Sequence, residues 1–139
     1  MINIEYKESL NDELGKFIDT EFNKFAVKND VACNYTPFNF IAKDNDEIVG
    51  ILTGHSYYAE IHINDLIVLE QYRNKHIGRK LIGTAENYYK DKGFENMNLT
   101  TYNFQAPEFY QKCGFQIEFI RENKQNPKLS KIFLVKYFK

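Results

Sequence analysis

Between Glu60 and Gly78 the chain changes period abruptly, from an alternating apolar run, Ile61 to Val68, through Leu69-Glu70-Gln71-Tyr72 into Arg73-Asn74-Lys75-His76-Ile77-Gly78 and the start of a helix. A strand that hands over to a helix leaves the first-turn N–H groups unpaired and outward, with the positive end of the helix dipole behind them. That is a binding place for an anion such as a pyrophosphate. Arg73, Lys75, Arg79 and Lys80 surround the same turn, and Gly78 lets the backbone come close to a ligand. Read from these residues alone, the alternative is a solvated basic face and an ordinary turn glycine.

The rest of the chain is short enough to serve this one element. With 139 residues, 43% of them apolar and 16% aromatic, it can bury one core, and a single domain over 1–139 is expected. A net charge of -1 offers no global attraction to nucleic acid or to an anionic membrane. Cys33 and Cys113 are far apart and outside any metal-ligand spacing, which suggests a reduced, cytoplasmic protein with neither a disulfide framework nor a metal. The start, Met1-Ile2-Asn3-Ile4-Glu5-Tyr6, has no basic region and no long apolar run, so no signal peptide or membrane span is expected.

In chain order, Ile2, Ile4 and Tyr6 alternate with polar residues and predict a short first strand. Leu10, Leu14, Phe17, Ile18, Phe22 and Phe25 then fall at helical spacing, with Ser9 available as a cap and a core-facing stripe expected. Lys28 to Pro37 reads as a loop or a broken second helix, and Phe38 to Ala42 and Glu47 to Thr53 as a hairpin across Lys43-Asp44-Asn45-Asp46.

The strand at 60–68 has two chemically distinct faces, with Ile61 and Ile63 on one and Glu60, His62 and Asn64 on the other. The polar face is either wet or the wall of a cleft. From Ile77 a helix continues with Leu81, Ile82, Ala85, Tyr88 and Tyr89 inward and stops at Gly93. Met97 to Thr101 follows as a strand, so this strand–helix–strand unit predicts a parallel pair joined by a right-handed crossover, with ligands at the carboxyl ends. Phe115 to Arg121 and Ile132 to Phe138 complete a mixed sheet.

Val68, Arg73, Gly78 and Leu81, and then Asn103, Ala106, Phe109-Tyr110 and Gly114-Phe115, stand in the order and spacing of two signatures of the GNAT superfamily of N-acetyltransferases, which this chain resembles from about Leu66 to Phe115. One departure is visible: His76 replaces the first glycine of the pyrophosphate signature, and Asn74 stands where a further glycine is common. The resemblance implies a mixed, mostly antiparallel α/β sheet of six to seven strands, a central parallel pair splayed at the acetyl-CoA site, and about four helices. It implies acetyl-CoA as cosubstrate, held by Leu66, Ile67 and Val68, by Arg73, Asn74, Lys75, His76, Ile77, Gly78 and Arg79, and by Asn103, Ala106 and Tyr110. It also implies transfer of the acetyl group to a primary amine by direct attack in a ternary complex.

In that reading Tyr110 protonates the departing thiolate and His62, with Glu60, accepts the amine proton. An isolated imidazole titrates near 6.5, which suits a base at neutral pH, and the competing role for His62 is a hydrogen-bonded structural histidine. A homodimer follows by analogy with the family. The alternative from another class is a noncatalytic acyl-CoA-binding sensor or interaction module.

Overall fold

The computed structural model describes residues 1–139. They form two compact units, Met1–Cys33 and Asn34–Lys139.

The first unit is built on helix α1, Asp12–Lys28. Asn11, not Ser9, caps it, its Oδ1 accepting from the Leu14 N–H at 2.9 Å, and Asp12 and Glu13 complement the dipole in the first turn. Two expectations fail here. Residues 2–6 form no strand, because alternation alone supplies no partner for their backbone groups, and within α1 only Ala26 is buried.

The second unit is a six-stranded sheet in the order β1-β2-β3-β4-β6-β5. Its strands are β1 (Thr36–Asp44), β2 (Glu47–Tyr57), β3 (Glu60–Val68), β4 (Asn96–Tyr102), β5 (Gln116–Arg121) and β6 (Lys131–Tyr137). Helix α2, Ile77–Tyr89, joins β3 to β4, and the short α3, Pro107–Lys112, follows β4. The six strands fall within the expected six to seven, and three α-helices stand in place of about four. The missing elements are the first strand and the second helix, whose place is taken by a loop from Asn29 to Tyr35. Pro37 lies inside β1, the edge strand of the sheet, where a residue without an N–H is tolerated.

The β1–β2 hairpin closes on Asn45, whose φ of 57° suits an asparagine in a tight turn. One face of the sheet carries the core: Leu52, Ile61, Met97 and Leu134 are fully buried and pack with Leu81, Ile82, Ala85 and Tyr89 of α2. Tyr88, expected inward, is 54% exposed, one position off that face. β3 and β4 are parallel, as the strand–helix–strand spacing predicts, but they pair only at Glu60↔Asn96, Ile61↔Met97 and His62↔Asn98. Beyond that point β3 stays with β2 as far as Val68 and β4 with β6 as far as Tyr102. A bulge at Asn64, between the pairs Thr53↔Asp65 and Gly54↔Ile63, falls where the two strands part.

Candidate active site

The parting of β3 and β4 leaves facing edges, Ile63–Val68 and Leu99–Tyr102, with backbone groups that no neighbouring strand satisfies. At its wide end stands the start of α2. The first intrahelical bond there runs from Lys80 N–H to the His76 carbonyl, so the N–H groups of Ile77, Gly78 and Arg79 precede the helix ladder. His76 is the N-cap residue and its side chain caps nothing.

The turn leading to that helix is held from two sides. Tyr72 donates its hydroxyl to Asp44 Oδ2 at 2.8 Å and Glu47 Oε1 at 3.2 Å, and the bond to Asp44 is the first cause of a phenol pushed up to about 12. Arg73 folds back so that its Nε donates to the Val68 carbonyl at 3.1 Å. Between these anchors and the helix, Asn74 and His76 both adopt the left-handed conformation, φ 64° and 63°. These are the two positions at which the sequence departs from a glycine pattern. The backbone therefore keeps the shape glycine would take, carried by residue types that tolerate that region better than most.

Gly78 has a second reason to lack a side chain. A Cβ there would lie 3.0 Å from Cζ of Phe109, so α3 packs against the first turn of α2 through that position. Arg79 makes the same connection, its Nη2 donating to the Lys112 carbonyl at 2.9 Å, a cation on the C-terminal end of α3. Of the expected anion-binding side chains, Lys75 lies 5.2 Å from the centroid of the Tyr72 ring.

α3 begins after Ala106, which has φ 110°, a strained value for a residue with a Cβ. Asn103 is tied at its backbone, N–H to the Ser130 carbonyl at 2.9 Å. Tyr110 is half-buried against Phe109 and Phe115, and burial, then Cys113, pushes its phenol up to about 12. Burial raises the Cys113 thiol as well, opposed by Arg79.

The polar face of the parallel pair is where His62 and Glu60 lie. A cavity of about 310 Å³ opens there, lined by Glu60, His62, Glu95, Asn98, Glu118 and Tyr137 among others. His62 Nδ1 is 2.7 Å from Oδ1 of Asn98. His62 and Glu60 are not bonded to one another; Asn98 links them, donating through Nδ2 to Glu60 Oε1 at 3.4 Å and to Asn96 Oδ1 at 2.8 Å. Asn96, only 2% exposed, donates in turn to Glu60 Oε2 at 3.2 Å and Glu95 Oε1 at 3.0 Å. The His55 ring lies 5.4 Å from that of His62, and its pKa is lowered by burial and then by His62, with the hydrogen bond to Asn64 acting the other way.

Asn96 and Asn98 escaped the sequence reading. Their signal was the alternation Asn96, Asn98, Thr100 along β4, opposite the alternation of Glu60 and His62. A second cavity, about 460 Å³ and lined by Phe40, Tyr72, Ile77 and Lys80 among others, shares only Ile77 and Lys80 with the expected anion-binding turn.

A strand pair that opens beside the bare amides of a following helix, with the two sequence signatures on either side of the opening, is matched by the family model for the acetyltransferase (GNAT) family over residues 5–115. The chain belongs to the GNAT acetyltransferase family. It is 32% identical over 75 residues to blasticidin-S acetyltransferase of Streptomyces morookaense, a match spanning 53% of this chain and 55% of that protein. The chain thus spans about half the length of that curated relative.

Among solved structures, an acetyltransferase from Bacillus cereus superposes with TM-score 0.76 at 26% identity, covering 96% of this chain and 97% of the other. A proposed streptothricin acetyltransferase from Bacillus anthracis, solved with acetyl coenzyme A, superposes with TM-score 0.67 at 25% identity, covering 80% and 68%. This GNAT chain has no helix long and apolar enough to cross a membrane.

Proposed function

We propose that the chain, acting as one domain over 1–139, is an acetyl-CoA-dependent N-acetyltransferase that modifies a primary amine on a small cationic molecule. The observation that carries this reading is the opening between β3 and β4 at the amides of Ile77, Gly78 and Arg79. The amides and the basic side chains of Arg73 and Lys75 suit a pyrophosphate, while the unpaired edge of Leu66, Ile67 and Val68 suits an amide-bearing arm and the acetyl oxygen. Acetyl-CoA has both parts. Its presence in the Bacillus anthracis neighbour supports the same cosubstrate here.

An alkyl amine with a pKa of about 10.4 is neutral in only about one molecule in 2,500 at pH 7, a penalty of roughly 4.6 kcal/mol. His62 answers that demand as the proton acceptor, on the wall of a cavity whose Glu60, Glu95 and Glu118 attract a cation. The neutral nitrogen attacks the thioester carbonyl, a C–N bond forms, the C–S bond breaks, the thiolate leaves, and the second proton shed by the acylated nitrogen passes through solvent to that thiolate. Tyr110 supports that departure by hydrogen bonding. With its phenol at about 12 and a thiol near 8.5, full proton transfer would be uphill by roughly 5 kcal/mol, so donation without transfer is its role. Amine-bearing antibiotics of the kind named by the Streptomyces and Bacillus anthracis relatives are the first acceptors to try. The reading includes a homodimer and a cytoplasmic setting, which sedimentation velocity and fractionation test.

Calorimetric titration with acetyl-CoA, followed by thiol release against a panel of amines, tests the activity. Binding with turnover supports it, binding without thiol release on any amine favours the noncatalytic module, and absence of binding at millimolar coenzyme refutes both. Tyr110→Phe should lower turnover at least tenfold with acetyl-CoA affinity changed less than about twofold, the pattern of a group that acts in the transition state. Unchanged turnover would remove Tyr110 from the chemistry.

A further inference from the structure

We infer that Asn98 is a positioning residue that sets the tautomer of His62, and that the setting originates in the carboxylates of Glu60 and Glu95, relayed through Asn96. The inference rests on His62 as proton acceptor and adds the group that makes it one.

A carboxylate only accepts hydrogen bonds, and Asn96 faces two of them, Glu60 Oε2 and Glu95 Oε1, so the side of its amide turned to them is Nδ2. Its Oδ1 therefore points the other way and can only accept. Asn98 meets that oxygen at 2.8 Å and Glu60 Oε1 at 3.4 Å, two acceptors, which turns its own Nδ2 toward them and its Oδ1 toward His62. Flipping either amide would set oxygen against oxygen at one end of the chain. The last acceptor in the series lies 2.7 Å from Nδ1 of His62, so Nδ1 carries the hydrogen. In neutral imidazole that leaves the lone pair on Nε2. Because Asn96 is 2% exposed, water does not compete for its amide, and the direction of the chain is enforced by the cost of leaving a buried group unsatisfied.

The consequence for catalysis is a base whose accepting nitrogen is always the same one. When Nε2 takes the amine proton, the Nδ1–H to Asn98 bond persists and holds the imidazolium. No rotation of the ring is needed between turnovers. The geometry has the logic of a carboxylate that orients a catalytic histidine, with a neutral amide as the contacting group and the charge kept one residue further away.

Long-range proton–nitrogen NMR of the imidazole side chains at pH 8, assigned through His62→Gln, reads the tautomer without any substrate. The expected spectrum places the hydrogen of His62 on Nδ1. A hydrogen on Nε2 overturns the inference. Asn98→Leu, close in volume but without an acceptor, should release the tautomer and lower kcat by about 10- to 100-fold while KM for acetyl-CoA moves less than about twofold.

Asn98→Asp keeps an acceptor toward His62 but turns its other oxygen toward Asn96 Oδ1 and Glu60 Oε1, so it should restore the Nδ1–H form with only part of the turnover, and move the acid limb of the pH profile upward, since a carboxylate beside an imidazole favours its cation. Apart from position 98 itself, the titratable neighbours of His62 are the same in the Asn98 variants: Glu60 on β3, His55 on β2, Glu95 before β4, and Glu118 and Tyr137 across the cavity. Wild-type turnover and an unshifted pH profile in both Asn98 variants would overturn the positioning role. Should His62→Gln leave turnover intact, the proton-acceptor reading falls, and the NMR spectrum still decides whether Asn98 sets the ring.

Discussion

Replacing His76 by glycine should stabilise the protein and leave the coenzyme turn intact. His76 holds φ 63°, ψ 18°, its side chain is exposed, and it makes no capping bond, so the substitution removes no identified contact. A residue with a Cβ pays about 1–2 kcal/mol in the left-handed region, and histidine sits at the low end because that region suits it better than most. Glycine returns about 0.5–1 kcal/mol through the greater freedom of its unfolded chain.

The difference is a gain of at most about 0.5 kcal/mol for His76→Gly, or up to roughly 2 °C in Tm for a chain of this size. His76→Ala, which keeps the Cβ, should lose a few tenths of a kcal/mol. Urea denaturation of the three proteins measures the stabilities, and calorimetry with acetyl-CoA measures the site. Affinity for His76→Gly should equal or exceed wild type, because the backbone conformation is already the one glycine adopts. A less stable glycine variant, or one that binds acetyl-CoA more than tenfold worse, would refute the reasoning and show that the imidazole itself contributes to the turn.

Gly54 faces β3 beside the bulge, where a Cβ would overlap the His62 carbonyl and the Phe38 ring; Gly54→Ala should cost at least about 3 kcal/mol in urea denaturation, and a loss under 1 kcal/mol would show that the β2–β3 pair yields there. The lowered pKa of His55 means that, as pH falls below about 6.5, the unfolded chain binds a proton at this residue before the folded chain does. Stability is then present above that pH and lost as pH drops through the folded pKa, so the slope of unfolding free energy against pH is positive from about 6.5 downward. His55→Asn should flatten that slope between pH 7 and 5, and equal slopes for variant and wild type would count against the lowering of the His55 pKa by burial and then by His62.

Local rules decided much of this chain from sequence. Apolar period 2 from Ile61 to Val68, period 3.6 from Ile77 to Tyr89, and stop residues at Gly93 and Gly114 placed β3, α2, β4 and α3 within a few residues of where they lie. Crossover geometry made β3 and β4 parallel neighbours. The short alternation of Ile2, Ile4 and Tyr6 misled because a strand exists only with a partner, and a partner is not a local property.

The same limit governs the site. The resemblance to the family signatures marked Arg73, Gly78, His62 and Tyr110, yet His62 and Asn98 are 36 positions apart, and only the register of the parallel pair brings Nδ1 and Oδ1 together. Likewise, the substitutions at Asn74 and His76 look in sequence like the loss of a glycine turn. The fold held at Tyr72 and Arg73 keeps both residues left-handed, because an anchored backbone can outweigh a local penalty of about 1 kcal/mol. Sequence thus determined the elements and which residues could do chemistry, and tertiary structure decided which of them meet and in which tautomer.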